Sequence, residues 1–175
     1  DLAAGGRDPD QGPVGQAVRH VRVHPHHRRT RRRLERGLGV DTAEVRANDR
    51  KLLFEEAGIV TVRPSDVPTY VEHGAADIGV TGKDVLLESP EREVYELLDL
   101  GYGRCDMVVA RRSGDDAIGE SLRRLGRARI ATKYTRIAAA HFAATGRQVE
   151  LVAVKGAVEL APLTGMVDGI VDLTA

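Results

Sequence analysis

Asp168 and Asp172 stand four residues apart in the apolar run VDGIVDL (167–173), and Glu159 lies just upstream in VELAPLTG (158–165). Residues i and i+4 of a strand share a face, so a strand here puts both aspartates on one side. Three carboxylates near one strand end suit a Mg²⁺ ion or the hydroxyls of a sugar. The plainer reading of Asp168 is a cap on backbone N–H groups. Asp172 is flanked by Ile170, Val171 and Leu173. An ionised carboxylate there is costly unless the strand end opens on a polar site. Cations accompany the acids. Lys155 precedes Gly156, where an anion can meet a helix N-terminus. Lys133 follows an apolar run, where substrate loops sit, and Arg50 precedes KLLF. An arginine there can grip phosphate oxygens in bidentate fashion. For each cation, surface solvation is the plainer reading.

No nucleophile accompanies these groups. The chain has no Walker loop, no nucleophile elbow and no His-Glu zinc pattern. Gly101-Tyr102-Gly103 lacks the third glycine and the following helix of a dinucleotide fingerprint. His141 reads as a half-buried packing residue rather than a catalyst.

The elements that must position these residues follow from periodicity. GIVTVRP (58–64) alternates like a strand and stops at Pro64. SDVPTYVEHG (65–74) reads as a helix with Ser65 as N-cap, an apolar face of Val67, Tyr70 and Val71, and Gly74 at its C-terminus. ADIGVTG (76–82) reads as a returning buried strand, and DVLLES (84–89) as a short helix. VELVAV (149–154), GAVELAPLTG (156–165) and VDGIVDL repeat the strand, helix, strand order, and Gly165-x-x-Asp168 matches Gly74-x-x-Asp77. Two similar α/β lobes are therefore expected, with ligands bound outside the carboxyl ends of strands. Between the copies, VYELLDLGYGRCDMVVA (94–110) reads as strand, turn and strand. A helix in 113–126, a strand in 127–134 and a helix in 135–146 follow, the last with Ile137, His141 and Ala144 on one face. The expected division is an atypical segment over 1–36, a first lobe over 37–98 and a second over 99–175.

The chain has 175 residues, 26 basic and 26 acidic, so net charge names no polyanionic partner. Aromatics make up only 3%, which argues against a base-stacking surface for single strands. Cys105 is the single cysteine and cannot form an internal disulfide, so a reducing, cytoplasmic setting is expected. No apolar stretch reaches the ~18 residues of a membrane span, and no secretory signal is readable.

Residues 1–36 differ from the rest. They are dense in Arg and hold four of the six histidines, with no sustained apolar period. A basic nucleic-acid arm and a metal site at His24, His26 and His27 are two readings. The preferred reading is a segment of non-native, poorly ordered character, since Arg, Gly, Pro, Ala and His together are what a GC-rich gene yields out of frame. A solvated charged face fits as well. None gives the segment chemistry.

RPSDVPTYVEHGAADIGVTGKDVLLE, VYELLDLGYGRC, RIATKY and VELAPLTGMVDGIVDL, in this order, resemble ATP phosphoribosyltransferase of histidine biosynthesis, in its short form, over about residues 49–175. The resemblance implies a two-lobe α/β architecture like type II periplasmic binding proteins, the first lobe incomplete in this chain. It implies condensation of ATP with 5-phosphoribosyl diphosphate to phosphoribosyl-ATP and pyrophosphate, with Mg²⁺. The partner implied is a regulatory subunit related to histidyl-tRNA synthetase, in homo- and hetero-oligomers up to a hetero-octamer. Neither a membrane nor a specific nucleic acid is implied. By resemblance Arg50 stabilises the departing pyrophosphate. Glu159, Asp168 and Asp172 line the phosphoribosyl site, and Thr174 begins the loop that cradles the 5-phosphate; Lys133 is expected to bind substrate from its place after a strand, and no residue is expected to be a resident metal ligand. The sequence departs from the family in lacking an opening strand with its KGR motif, in Ala157 for serine and in Thr135 for proline. It also ends at Thr174-Ala175, so the 175-residue polypeptide is expected to be inactive or nearly so. A non-enzymatic solute-binding or sensor protein of the same architecture is the alternative.

Overall fold

The computed structural model describes residues 35–36, 39, 41–48 and 50–174. Of the basic segment only Glu35 and Arg36 are described, as helix; the expectations for His24, His26 and His27 lie outside the described residues. The described chain divides into two compact units. The first takes the described residues to Val85 and Glu91–Tyr95, and the second takes Leu86–Pro90 and the described residues from Glu96. The chain thus changes unit at three places between 85 and 96, whereas the sequence reading places one passage after 98.

In the first unit, helix α1 (Ala43–Ala47) precedes an antiparallel pair, β1 (Leu53–Phe54) and β2 (Ile59–Val60). Val45, Phe54 and Ile59 form its buried cluster, with Ala57 packed against it. The expected strand over 58–64 is only two residues of ladder, continued by Thr61 N–H donating to the Leu52 carbonyl at 2.7 Å. Pro64 ends it, as expected, and opens a 3₁₀ turn (Pro64–Asp66) that runs into α2 (Val67–Glu72). Ser65 is not the N-cap: its hydroxyl bonds the Asp66 carboxylate and no side chain caps the helix. Of the expected apolar face Val67 is buried and Tyr70 is exposed.

Gly74 closes α2 as read. Its φ is +68°, its N–H donates to Val71 O at 3.0 Å, and Ala75 N–H donates to Tyr70 O at 2.9 Å. This is the paired closure that an αL glycine makes cheaply. Gly165 repeats it, with φ +72° and bonds from Gly165 to Pro162 O and from Met166 to Ala161 O. The matched glycines therefore do the same work in both units. The strands after them differ. Residues 76–82 make no strand, only a bridge at Ile78. Gly79 lets this segment pass close under α2, since a Cβ there would strike Val67 and meet Val71 Cγ2 at 2.9 Å. Glu72, at the end of α2, is held by Arg92 Nη1 at 2.8 Å and by the Glu93 N–H at 3.0 Å. The Glu93 amide, and after it Arg92, keep its carboxyl below the ordinary glutamate value near 4.5.

Helix α3 (Lys83–Glu88) forms as expected, but residues 94–100 do not make the expected strand. Tyr95, Leu97 and Leu98 are 92%, 78% and 69% exposed, so this β-prone run has no sheet to join among the described residues. The second unit is a mixed α/β fold. Its sheet has the order β3-β6-β4-β5, from β3 (Asp106–Ala110), β4 (Ala128–Thr132), β5 (Val149–Ala153) and β6 (Gly169–Thr174). β6, β4 and β5 are parallel, and β3 runs antiparallel to β6. Helices α4 (Ala117–Leu125) and α5 (Thr135–Ala144) cover one face, where Ile118, Ala138 and Phe142 pack on Ala128, Ile130 and Val171. The other face is covered by Val158, Ala161 and Val167 over Ala131, Val152 and Ile170. The element expected as a helix over 156–165 is a 3₁₀ turn (Val158–Leu160) followed by turns. Ala157 at φ +48° starts it from the left-handed region, and Pro162 lacks the N–H that an α-helix would use.

The buried side of α5 is Ala138 and Phe142 rather than Ile137, His141 and Ala144. His141 is exposed, with its ring edge-on to Phe142 at 5.2 Å. Among the described residues no helix is long and apolar enough to cross a membrane.

Two stability predictions follow from this packing. A Cβ on Gly169 would strike Ile118 Cδ1 and meet the Ala110 carbonyl oxygen at 2.9 Å. Gly169→Val is therefore expected to cost about 1–3 kcal/mol in denaturant unfolding. Gly156→Ala, where a Cβ meets nothing within 4 Å, should lose no stability. Because the Glu72 carboxyl titrates lower when folded, its contribution is present above the ordinary value and is lost as pH falls through the lowered one. The stability gap between the parent and Glu72→Gln should be constant well above the ordinary glutamate value and shrink as pH falls below it. A gap that does not change with pH would remove the latch.

Candidate functional site

The parallel strands β4 and β5 end together at Thr132 and Ala153, level with Val171 of β6, which runs on to Thr174, and the candidate site is built on these ends. Thr132, the last residue of β4, is fully buried. Its hydroxyl donates to the Val171 carbonyl of β6 at 2.7 Å and accepts the Tyr134 N–H at 2.9 Å. Its own carbonyl accepts the Val154 N–H at the end of β5, at 3.0 Å. One residue thus sets the relative position of three chain segments. Sequence reading missed it; a lone threonine closing an apolar strand is the only signal it leaves.

Lys133 leaves β4 directly after this anchor. It is exposed, with Nζ 4.7 Å from the centroid of the Tyr134 ring. Thr132 pairs with Val171, so Asp172 follows on β6 as Lys133 follows on β4. Asp172 is half-buried and accepts the Leu173 N–H at 2.9 Å. Thr174 ends β6, opposite Asp106. Lys155 follows β5 and is exposed. Lys133, Lys155, Asp172 and Thr174 are therefore among the groups presented at the carboxyl ends, where Asp106 of β3 also lies. Two cations, a carboxylate and a hydroxyl suit a phosphorylated, hydroxyl-rich ligand.

Asp168 is not among them. It precedes β6, and four strand residues span roughly 13 Å, so Asp168 lies ahead of the strand's first residue while Asp172 lies in its second half, opposite Val108 of β3. The Asp168 carboxylate accepts the Arg129 N–H at 2.7 Å, while its own N–H donates to the Arg129 carbonyl at 2.9 Å. It locks the start of β6 to β4, the backbone role of the plainer reading. It lines a cavity of about 370 Å³ at the amino ends of the strands, with Ser121, Leu125, Arg127, Arg129 and Glu150. Glu159 is exposed on the 3₁₀ turn and lines a different cavity of about 230 Å³ with Arg111 and Arg112. The expected trio of carboxylates is thus dispersed, and among the described residues no three acidic, His or Cys side chains gather as metal ligands.

Arg50 belongs to the first unit, the other candidates to the second. It is exposed in a bend before β1, where Asn48 Oδ1 accepts the Arg50 and Lys51 N–H groups at 3.2 and 3.1 Å. This side-chain turn fixes the backbone from which Arg50 projects. Lys83, at the start of α3, is exposed.

Comparison with known proteins agrees with these elements. The family model for ATP phosphoribosyltransferase (HisG) matches residues 63–175. The ATP phosphoribosyltransferase of Anaeromyxobacter sp. (strain K) is 46% identical over 144 residues, which are 80% of this chain and 63% of that protein. Its counterpart in Halorhodospira halophila is 47% identical over 139 residues, 77% of this chain and 62% of that protein. A solved ATP phosphoribosyl transferase (HisG:HisZ) complex from Thermotoga maritima is similar at 37% identity and a TM-score of 0.54, over 66% of this chain and 54% of that one. The chain spans a little under two thirds of the length of these curated relatives. With a family match over most of its length and a shared mixed-sheet fold, this chain belongs to the ATP phosphoribosyltransferase family.

Proposed function

We propose that this chain is part of the catalytic subunit of a short-form ATP phosphoribosyltransferase, acting in the first step of histidine biosynthesis. The observation that carries the reading is the set of cations, carboxylate and hydroxyl on the strand ends of a unit whose sequence matches that family. In the proposed reaction N1 of adenine attacks the anomeric carbon of 5-phosphoribosyl diphosphate. A C–N bond forms, the C–O bond to the diphosphate breaks, and pyrophosphate leaves with the bonding pair. Such a displacement gains most from alignment and from neutralising charge on the leaving group. That agrees with a site that offers Lys, Arg and Asp and no nucleophile.

Arg50 neutralises the departing pyrophosphate. Asp172 accepts ribose hydroxyls, Thr174 begins the 5-phosphate loop, and Lys133 contacts a phosphate. Glu159 and Asp168 line the site in the family-based reading. Their positions support a narrower one: Asp168 fixes β6 through Arg129, and Glu159 sits on the turn that covers the sheet. Mg²⁺ is proposed as a companion of the diphosphate rather than a resident ion. The dispersed carboxylates do not fit a protein cage, and Mg²⁺ readily takes substrate phosphate oxygens. A two-lobe architecture of the type II periplasmic-binding kind, a cytoplasmic setting and assembly with a regulatory subunit related to histidyl-tRNA synthetase complete the proposal. The similarity to the HisG:HisZ complex supports the last.

Pyrophosphate release from ATP and 5-phosphoribosyl diphosphate, measured on the full-length protein with its regulatory subunit, tests the reading. Arg50→Ala is expected to lower kcat/KM by roughly 10²–10³, as removal of one leaving-group stabiliser does. Asp172→Asn should lower it by about tenfold or more. If both variants match the parent, the site is elsewhere.

A further inference from the structure

Helix α5 starts without a cap of its own. Tyr134 occupies the N-cap position, and its side chain makes no capping bond. The two amides that a Ser, Thr, Asp or Asn there would satisfy belong to Arg136 and Ile137. Both donate to one distant carboxylate. The Arg136 N–H meets Glu88 Oε1 at 2.8 Å, the Ile137 N–H meets Oε2 at 3.1 Å, and Thr135 Oγ1 donates to Oε1 at 3.2 Å. Glu88 ends α3, 47 to 49 residues upstream, in a short stretch that the second unit claims between two segments of the first. With both oxygens engaged, the carboxylate fixes the first turn of α5 in orientation as well as in place. The orphan amides and the positive end of the helix dipole favour the charge.

The turn just before α5 carries Lys133. It is held on one side by Thr132, which accepts the Tyr134 N–H, and on the other by Glu88. We infer that Glu88 is a positioning residue that supplies the missing cap of α5, sets the turn between β4 and α5, and thereby sets where Lys133 is offered to substrate. A second consequence concerns anions. The helix N-terminus after β4 is a natural phosphate seat, and here the protein's own carboxylate fills it. Substrate phosphates are thereby left to Lys133, Lys155 and the end of β6. The geometry stands on its own, while the word substrate rests on the proposed function.

Two measurements test this. In the 175-residue chain, Glu88→Ala is expected to speed amide hydrogen exchange at Arg136 and Ile137 roughly tenfold and to shift the Lys133 and Tyr134 amide resonances. Ile130 and Leu151 in the sheet should keep their protection. Glu88→Gln, which keeps the size and one acceptor, should show a smaller change of the same kind and serves if the alanine variant does not fold. Unchanged exchange and unshifted Lys133 in the glutamine variant overturn the clamp. In the full-length protein with its regulatory subunit, Glu88→Gln should raise KM for 5-phosphoribosyl diphosphate roughly tenfold, with kcat and KM for ATP within about twofold. A fall in kcat alone, with both KM values unchanged, marks a cap that only stabilises and overturns the positioning role. If the parent makes no phosphoribosyl-ATP at all, the functional reading fails, and the exchange measurement still decides the clamp.

Discussion

The hydroxyl of Thr132 is the constraint on which the second unit's strand ends depend. β4 lies between β6 and β5 and is covered on both faces, so its last residue is sealed from water. A buried hydroxyl left without partners costs about 1–3 kcal/mol. Here it donates to β6 and accepts from the turn, while the same residue's carbonyl receives the chain leaving β5. Any rearrangement of the three ends relative to one another breaks at least one of these bonds inside the protein. The candidate site is thereby held by the best-buried strand of the unit, although its ligand-facing groups are exposed.

Carboxylates divide into two kinds of work in this chain. Several satisfy backbone amides that the regular elements leave over. Asp168 takes the Arg129 amide, Glu88 those of Arg136 and Ile137, and Glu72 that of Glu93. Each contact joins a strand or helix end to a segment that would otherwise present an unpaired donor. Asp172 differs, because its bond is to its own neighbour's amide and joins nothing distant. The same residue type thus serves as structural acceptor or candidate ligand according to whether an orphan amide lies within reach.

This division explains what could be read from the sequence. The closures at Gly74 and Gly165, both with positive φ, are legible because the glycine requirement is local. β4, β5, β6 and α5 were legible because an apolar period needs only a dozen neighbours to show itself. Residues 94–100 have strand composition but no strand, since a ladder needs a partner that composition cannot supply. Ser65 looks like a cap but bonds its neighbour, and the working cap on α5 comes from Glu88. Nothing in 135–146 points 47 residues upstream. The buried face of α5 was misjudged because close packing on the sheet selects small Ala138 beside Phe142, while hydropathy favours Ile137. Asp168 and Asp172 fall in one extended run, as expected, but i and i+4 are also roughly 13 Å apart, which leaves Asp168 ahead of β6 and Asp172 within it.

The dispersal of the three acids bears on the proposed chemistry. 5-Phosphoribosyl diphosphate brings several negative charges, and its leaving group gains more as the C–O bond breaks. Three carboxylates crowded around it would repel it, unless a resident metal stood between. In this fold Asp168 is drawn to the far end of β6 by Arg129, and Glu159 lines a cavity with two arginines. Glu88 is neutralised by the amides and dipole of α5 rather than facing the strand ends alone. Asp172, suited to ribose hydroxyls in the proposed reaction, remains at the carboxyl ends beside two lysines suited to phosphate, and Asp106 of β3 lies opposite Thr174. Asp168 and Glu88 are each engaged away from the groups at those ends, and the backbone amides that claim them are the means of doing so.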